Sequence, residues 1–92
     1  MKKFVVVLLA ICSVGAIAGE CAAGSFVVYS ASCKNSTASV YVRGDRDNSV
    51  LELNTVENEP DGSVKCYFSG NYSLTVIENK TLKREYRLYG CN

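Results

Sequence analysis

The chain has 92 residues, with ten lysines and arginines against nine aspartates and glutamates and no histidine, so its net charge is +1 at pH 7. A chain of this length forms one domain with a marginal core, because so small a domain buries only about 60% of its unfolded surface. The charges are scattered, which excludes the basic stripe that nucleic-acid binding and cationic membrane-disrupting peptides require.

The first residues have the pattern of a secretory signal peptide. Two lysines precede an apolar run at residues 4–12, and a small-X-small cleavage pattern ends at Ala18. This run is shorter than the about 20 residues of an uninterrupted membrane span. We therefore predict that residues 1–18 are removed. Residues 19–92 then form a single disulfide-bonded β domain without membrane insertion, secreted to the extracellular space or, in a bacterial source, exported to the periplasm.

The predicted mature chain contains four cysteines: Cys21, Cys33, Cys66 and Cys91. An even number in a short exported chain indicates two disulfides, each stabilising the fold by about 2–4 kcal/mol. The absence of histidine and of a Cys-X-X-Cys pair argues against zinc, and we predict neither a metal nor a cofactor. All three pairings of the four cysteines remain open.

Six stretches have the composition of short β-strands, separated by turn-forming residues at nearly regular spacing. They cover residues 25–32, 39–42, 49–53, 64–68, 72–78 and 82–89. Residues 60–62, Pro-Asp-Gly, form a strong turn signal between the third and fourth stretches, because proline fixes φ and glycine tolerates positive φ. Residues 19–24, ahead of the first stretch, are expected to be a short lead-in of small residues.

Alternating side chains assign faces to two of these strands. In residues 64–68 the alternation places Cys66 on the apolar face. In residues 82–89 the apolar side chains from Leu82 onward share one face, on which Arg84 is the exception. The sequence therefore predicts an all-β fold, a small disulfide-stapled antiparallel sandwich or barrel of about six short strands.

The loop between the second and third predicted strands begins with Arg43, Gly44 and Asp45. This tripeptide resembles the adhesion motif of integrin ligands. In that motif a guanidinium forms paired hydrogen bonds with a carboxylate and glycine permits a tight turn. The aspartate completes the oxygen shell of a divalent cation on the receptor. Because the loop is the tip of a predicted hairpin, we predict that these three residues contact a partner. The alternative is a charged turn without a partner.

Three asparagines begin Asn-X-Ser/Thr acceptor patterns in predicted turns: Asn35, Asn71 and Asn79. We predict N-glycosylation at these positions if the chain passes through a eukaryotic secretory pathway. The six tyrosines are interpreted as half-buried strand residues rather than as a ligand-binding face.

Catalysis has little support in this sequence. Without histidine there is no Ser-His or Cys-His pair, the mature cysteines are assigned to disulfides, and no glycine-rich phosphate loop is present. A pair of carboxylates would still need a cleft, which so small a core seldom provides. We therefore expect a protein that is not an enzyme.

Residues 52–58 followed by residues 61–65 resemble the Leu-Asn…Asn…Asp-Gly-X-Leu-Lys stretch of cyanovirin-type lectins. The two full repeats of that family exceed the predicted mature length, and a second matching cysteine pair is absent. The resemblance implies a carbohydrate-binding module as one alternative function.

The function predicted from the sequence is that of a small secreted binding protein without enzymatic activity. Its expected partner is an extracellular protein or a cell-surface receptor of the integrin type, bound through residues 43–45. One alternative is a protease inhibitor that inserts Arg43 or Arg46 of the same loop into a trypsin-like pocket, and the other is the lectin-like module, with a glycan as its partner.

Overall fold

A computed structural model of the protein describes residues 19–44 and 47–91. These residues contain seven β-strands and one short 3₁₀ helix, which are β1 (Gly19–Glu20), the helix (Ala23–Ser25), β2 (Phe26–Ser30), β3 (Thr37–Val42), β4 (Ser49–Asn58), β5 (Val64–Ser69), β6 (Ser73–Glu78) and β7 (Arg84–Cys91). The predicted signal peptide, residues 1–18, lies outside the described residues.

The seven strands form one antiparallel sheet in the order β1-β7-β6-β5-β4-β3-β2. The first two strands of the described residues therefore lie at opposite edges, although only residues 21–25 separate them. The six Cα–Cα steps from Glu20 to Phe26 span at most about 22 Å, so the sheet must curl until its edges approach each other. The architecture is a half-barrel, which confirms the predicted all-β antiparallel fold in its barrel form.

The two edges of the half-barrel face each other, and no strand pairing joins them. A cavity of about 290 Å³ separates them, lined by Val28 and Tyr29 of β2 and by Arg84 and Tyr86 of β7. Farther along β7, its last residues pair with β1. This pairing makes β1 the edge strand on that side, and the sheet stays open between β1 and β2.

Residues 19–24 contain β1 and the beginning of the 3₁₀ helix, where the sequence predicts only a short lead-in of small residues. A strand of two residues has no alternation to detect, and its pairing with β7 joins opposite ends of the chain. Within the described residues no helix is long and apolar enough to cross a bilayer.

The concave face of the half-barrel carries the hydrophobic core. Its largest fully buried side chains come from strands β3 to β7 and are Val40, Leu51, Cys66, Phe68, Leu74, Val76 and Leu88. Within each strand these residues are separated by an even number of positions, as expected when alternate side chains point to one face of a sheet. The predicted placement of Cys66 on the apolar face is confirmed.

Two disulfides resolve the pairing that the sequence leaves open. Cys21 is bonded to Cys91 and Cys33 to Cys66, with Cα–Cα distances of 5.4 and 5.5 Å, which lie within the range of protein disulfides. The first joins the residue after β1 to the end of β7. The second joins the connection between β2 and β3 to the middle of β5. The bonds therefore lie near opposite ends of the half-barrel.

The last strand begins at Arg84, so the predicted start at Leu82 is wrong. Leu82 has a φ of 65° and is 70% exposed, in a turn rather than on the apolar face. The side-chain oxygen of Asn79 accepts hydrogen bonds from the backbone N–H groups of Thr81, at 2.9 Å, and Lys83, at 3.0 Å. This local bonding offers the backbone an alternative to the strand ladder, and it delays the start of β7.

Candidate functional site

A cavity of about 490 Å³ opens at the end of the half-barrel where β3 and β7 finish, and we call it the mouth. Its volume lies within the range of about 300–1,000 Å³ found for small-molecule sites. Residues from four separate parts of the chain line it, including Glu20, Ser25, Arg43, Gly44, Tyr72 and Cys91. The mouth therefore exists only because the sheet curls.

The end of β3 fixes the position of Arg43 at the rim of the mouth. The backbone N–H of Arg43 donates a hydrogen bond to the carbonyl oxygen of Ser25 at 2.8 Å, which continues the pairing of β2 with β3 beyond Phe26 and Val42. Gly44 then has a φ of 89°, in the left-handed region that favours glycine. The chain consequently turns immediately after Arg43, and both residues of the turn are exposed.

The Arg-Gly-Asp tripeptide is described only in part. Arg43 and Gly44 lie exposed at the connection between β3 and β4, at the tip of the predicted hairpin, and Asp45 and Arg46 lie outside the described residues. Within the described part of the chain the Arg43 guanidinium forms no ion pair. Its charge is therefore exposed to solvent at the rim.

The opposite wall of the mouth is held by covalent and hydrogen bonds. The N–H of Cys21 donates to the carbonyl oxygen of Leu88 at 2.7 Å, and its sulfur is bonded to Cys91. Gly90 has a φ of 113°, and a Cβ added there would lie 3.1 Å from Cδ1 of Tyr72. A larger residue at position 90 would therefore crowd this ring, and glycine lets the ring lie against the β7 backbone.

Sequence reasoning does not identify the contributions of Glu20 and Tyr72 to the mouth. Glu20 reaches the site because β1 pairs with β7, and its Oε2 lies 3.9 Å from Nε of Arg87. Tyr72 lies in the connection between β5 and β6. No local pattern relates these positions to Arg43, since the curvature of the sheet brings them together.

At the other end of the half-barrel, a buried carboxylate explains why Arg84 occupies an apolar face. Glu78 of β6 lies directly opposite Arg84 and is only 8% exposed. Its Oε2 accepts hydrogen bonds from Nε of Arg84 at 2.6 Å and from the backbone N–H of Cys33 at 3.2 Å. Glu78 thus links β7 to the connection that carries the second disulfide.

Opposing effects act on the pKa of Glu78. Burial alone would raise this pKa, but the hydrogen bonds from Arg84 and Cys33 and the positive charges of Arg84 and Lys34 outweigh burial and lower it below its ordinary value of 4.5. The ionised form is therefore favoured in the folded state more than in the unfolded chain, so it contributes stability above the unfolded pKa.

Substitution of Glu78 by glutamine is expected to flatten the acid dependence of stability. Wild-type stability should fall as the pH drops through the lowered pKa of Glu78, so the difference between the two proteins should shrink between about pH 7 and about pH 3. Urea unfolding over a pH series measures this difference. The control is Glu85→Gln, which removes an exposed ion pair with Arg87. A Glu78→Gln effect that is the same at every pH would mean that only packing is involved.

The three acceptor asparagines, Asn35, Asn71 and Asn79, are exposed and lie between strands, in the β2–β3, β5–β6 and β6–β7 connections. Their modification remains a prediction. Among the described residues, five tyrosines are half-buried strand or turn residues, whereas Tyr29 is 59% exposed.

Residues 19–44 and 47–91 contain no group of three side chains that could hold a metal ion. The four cysteines of these residues are all consumed in disulfides. The side chains of the mouth are suited to holding a ligand by charge, hydrogen bonds and an aromatic ring.

Comparisons with known proteins place the chain in no family: it matches no protein-family model, no curated protein and no solved structure. The short resemblance to cyanovirin-type lectins is therefore not extended by any broader similarity.

Proposed function

We propose that the protein is a small secreted binding module that engages a cell-surface receptor of the integrin type through Arg43, Gly44 and Asp45. The observation that carries the proposal is the geometry at the rim of the mouth. Arg43 is exposed, its backbone is bonded to Ser25, and Gly44 turns the chain with a φ of 89°. A guanidinium presented in this way can form two parallel hydrogen bonds with a receptor carboxylate.

The scaffold supports this function by holding the backbone that leads into the loop in one position. The Arg43 backbone is bonded to β2, and the Cys21–Cys91 disulfide lies on the facing wall of the mouth. A binding group that is already ordered loses less conformational entropy when it meets its partner. The Asp45 carboxylate would then complete the coordination of a divalent cation on the receptor.

Secretion is part of the proposal. The two disulfides suit an oxidising compartment, because they rarely persist in the cytosol. The pattern of residues 1–18 is that of a signal peptide. Intact-mass analysis of the material exported by the producing cells tests this step, and the expected mass begins at Gly19.

Asp45→Glu is the sharpest test of the receptor contact, because it keeps the charge and moves the carboxylate by one methylene. We expect binding to integrin-bearing cells to weaken by about tenfold or more, equivalent to about 1.4 kcal/mol. Asp47→Glu is the matched control, since it makes the same change two positions later in the same loop. Binding that is unchanged in Asp45→Glu would remove the tripeptide from the proposed function.

Carbohydrate binding in the mouth is a second candidate. It is favoured by a cavity of about 490 Å³ that combines the Tyr72 ring with the side chains of Glu20 and Arg43, a mixture of apolar surface and a few polar groups typical of small-molecule sites. A glycan array with the wild type and with Tyr72→Ala tests it. An array without hits for the wild type would eliminate this candidate.

A further inference from the structure

The convex side of the sheet carries an exposed apolar surface that lies outside the mouth. It consists of Val27 and Tyr29 of β2, Tyr41 of β3 and Val50 of β4, and we call it the outer apolar face. Val27, Tyr29 and Val50 are 52%, 59% and 62% exposed. These side chains alternate with core residues of the same strands, so they point away from the half-barrel interior.

The register of the sheet makes these side chains neighbours. Val27 pairs directly with Tyr41, and Val50 pairs with Ser39, two residues from Tyr41 on the same strand. A groove of about 220 Å³ runs beside Val27, Tyr41 and Arg43. The outer apolar face is therefore continuous over three strands, the arrangement that marks an interaction surface.

The distribution of charged residues distinguishes β2, at one edge of the sheet, from β7, near the other edge. Residues 22–32, which include all of β2, contain no charged residue. The exposed part of β7 at the other edge carries Arg84, Glu85 and Arg87. Charged residues commonly protect exposed strands from association, and this protection is missing from β2.

The two ends of the outer apolar face carry opposite charges. Arg43 follows β3 at one end, and Glu52 of β4, opposite Thr37, lies at the other. Both are exposed, and neither forms an ion pair within the described part of the chain. An incoming surface would match this face if it presented an apolar centre with an anion over Arg43 and a cation over Glu52.

We propose that a second copy of the chain binds to the outer apolar face and forms a two-fold symmetric dimer. A two-fold axis that lies across the strands at the level of Val40, midway between Arg43 and Thr37 along β3, places each face over its counterpart in the reverse direction. Arg43 then approaches Glu52 of the partner subunit, and the same contact occurs twice. Val27 of one copy lies over Tyr29 of the partner subunit, which joins the apolar centres. Such self-complementarity is what a two-fold interface requires.

The dimer and the proposed receptor complex use the same arginine, so they exclude each other. This relation rests on the proposed function, but the dimer itself does not. Its test relies first on Val50, which lies outside the tripeptide, and a failure of one proposal therefore leaves the other intact.

Sedimentation velocity over a concentration series tests the dimer, with the full chain produced in an oxidising host. We expect twice the monomer mass at high concentration and dissociation on dilution. Val50→Glu should weaken the dimer by about tenfold or more. Val56→Glu is the matched control, because Val56 is also an exposed valine of β4, at 43%, but lies outside the outer apolar face. Circular dichroism checks that each variant keeps its fold. If Val50→Glu does not fold, Val50→Thr replaces it in the same experiment.

Exchange of the two charges separates this interface from other modes of association. Arg43→Glu and Glu52→Arg should each weaken the dimer, and the double variant should restore it, because the pair is then reversed in both contacts. A protein that is monomeric up to about 1 mM, or a dimer insensitive to Val50→Glu and Glu52→Arg, would overturn the proposal. A monomer that captures a different protein or a glycan through this face would also overturn it.

Discussion

Replacement of Cys33 and Cys66 together by alanine is expected to lower the free energy of unfolding by about 4 kcal/mol. The bond joins residues separated by 33 positions, and chain entropy alone assigns such a loop about 3.7 kcal/mol. Cys66 is also fully buried, so losing its sulfur leaves space in the core. A domain of this size has a total stability of only about 4–11 kcal/mol, and the variant should therefore be close to unfolding.

The matched control is the double substitution Cys21→Ala/Cys91→Ala. This bond closes a longer loop, with a separation of 70, and chain entropy predicts a contribution of about 4.4 kcal/mol. Cys91, however, is only half-buried, and the bond holds the two-residue β1 rather than a central strand. We expect the Cys33–Cys66 pair to matter at least as much as the longer loop, because its removal also disturbs the core.

Urea unfolding at neutral pH measures both double variants against the wild type. If Cys33→Ala/Cys66→Ala lowered the free energy of unfolding by less than about 1 kcal/mol, this disulfide would not be a main source of stability. If Cys21→Ala/Cys91→Ala lost much more free energy of unfolding, loop closure in the unfolded chain alone would determine how much each disulfide stabilises the fold. The comparison thus separates an effect on the unfolded state from packing in the core.

The strands of the core could be predicted because their signals are local. Alternation in β5 identifies Cys66 as an inward residue, and the positions of the β3–β4 hairpin and of the turn at residues 60–62 follow from composition. These features depend on residues within a few positions of one another. The face of a strand can therefore be read without knowledge of its partners.

Contacts between distant residues could not be predicted in the same way. The pairing of β1 with β7 joins Gly19 to Cys91, and no pattern in a two-residue strand specifies a partner. Arg84 is recognisable only as an exception on an apolar face, since the buried Glu78 that explains it belongs to the preceding strand. The start of β7 was misplaced because bonding by the Asn79 side chain competes locally with the strand.

The candidate site was predictable in one of its parts. Arg43 and Gly44 are prominent in the sequence as a turn within a hairpin, and both are exposed there. The mouth is not predictable, because it needs Glu20 and Tyr72 from other parts of the chain. A short motif thus indicates a contact, whereas the surface around that contact depends on the curvature of the whole sheet.

Phe68→Ala is expected to lower the free energy of unfolding by about 3–5 kcal/mol, the cost of removing a large buried aromatic side chain. Phe68 is 1% exposed on the concave face of β5, one residue before the strand ends. It lies opposite Leu53 on one side and Leu74 on the other. Neighbouring side chains in such a core cannot fully close the space left by the ring.

Phe26→Ala is the matched control, because it removes the same side chain from the edge strand β2, where Phe26 is only half-buried. Its expected cost is about 1–2 kcal/mol, in proportion to the smaller apolar area removed from water. Urea unfolding of both variants measures the two losses in the free energy of unfolding, and their ratio follows directly. Equal losses would contradict the register of β5, since a shift by one residue would move Phe68 to the convex face and Tyr67 to the core. The larger loss at Phe68 is therefore the direct test that the concave side of the half-barrel is the core of the protein.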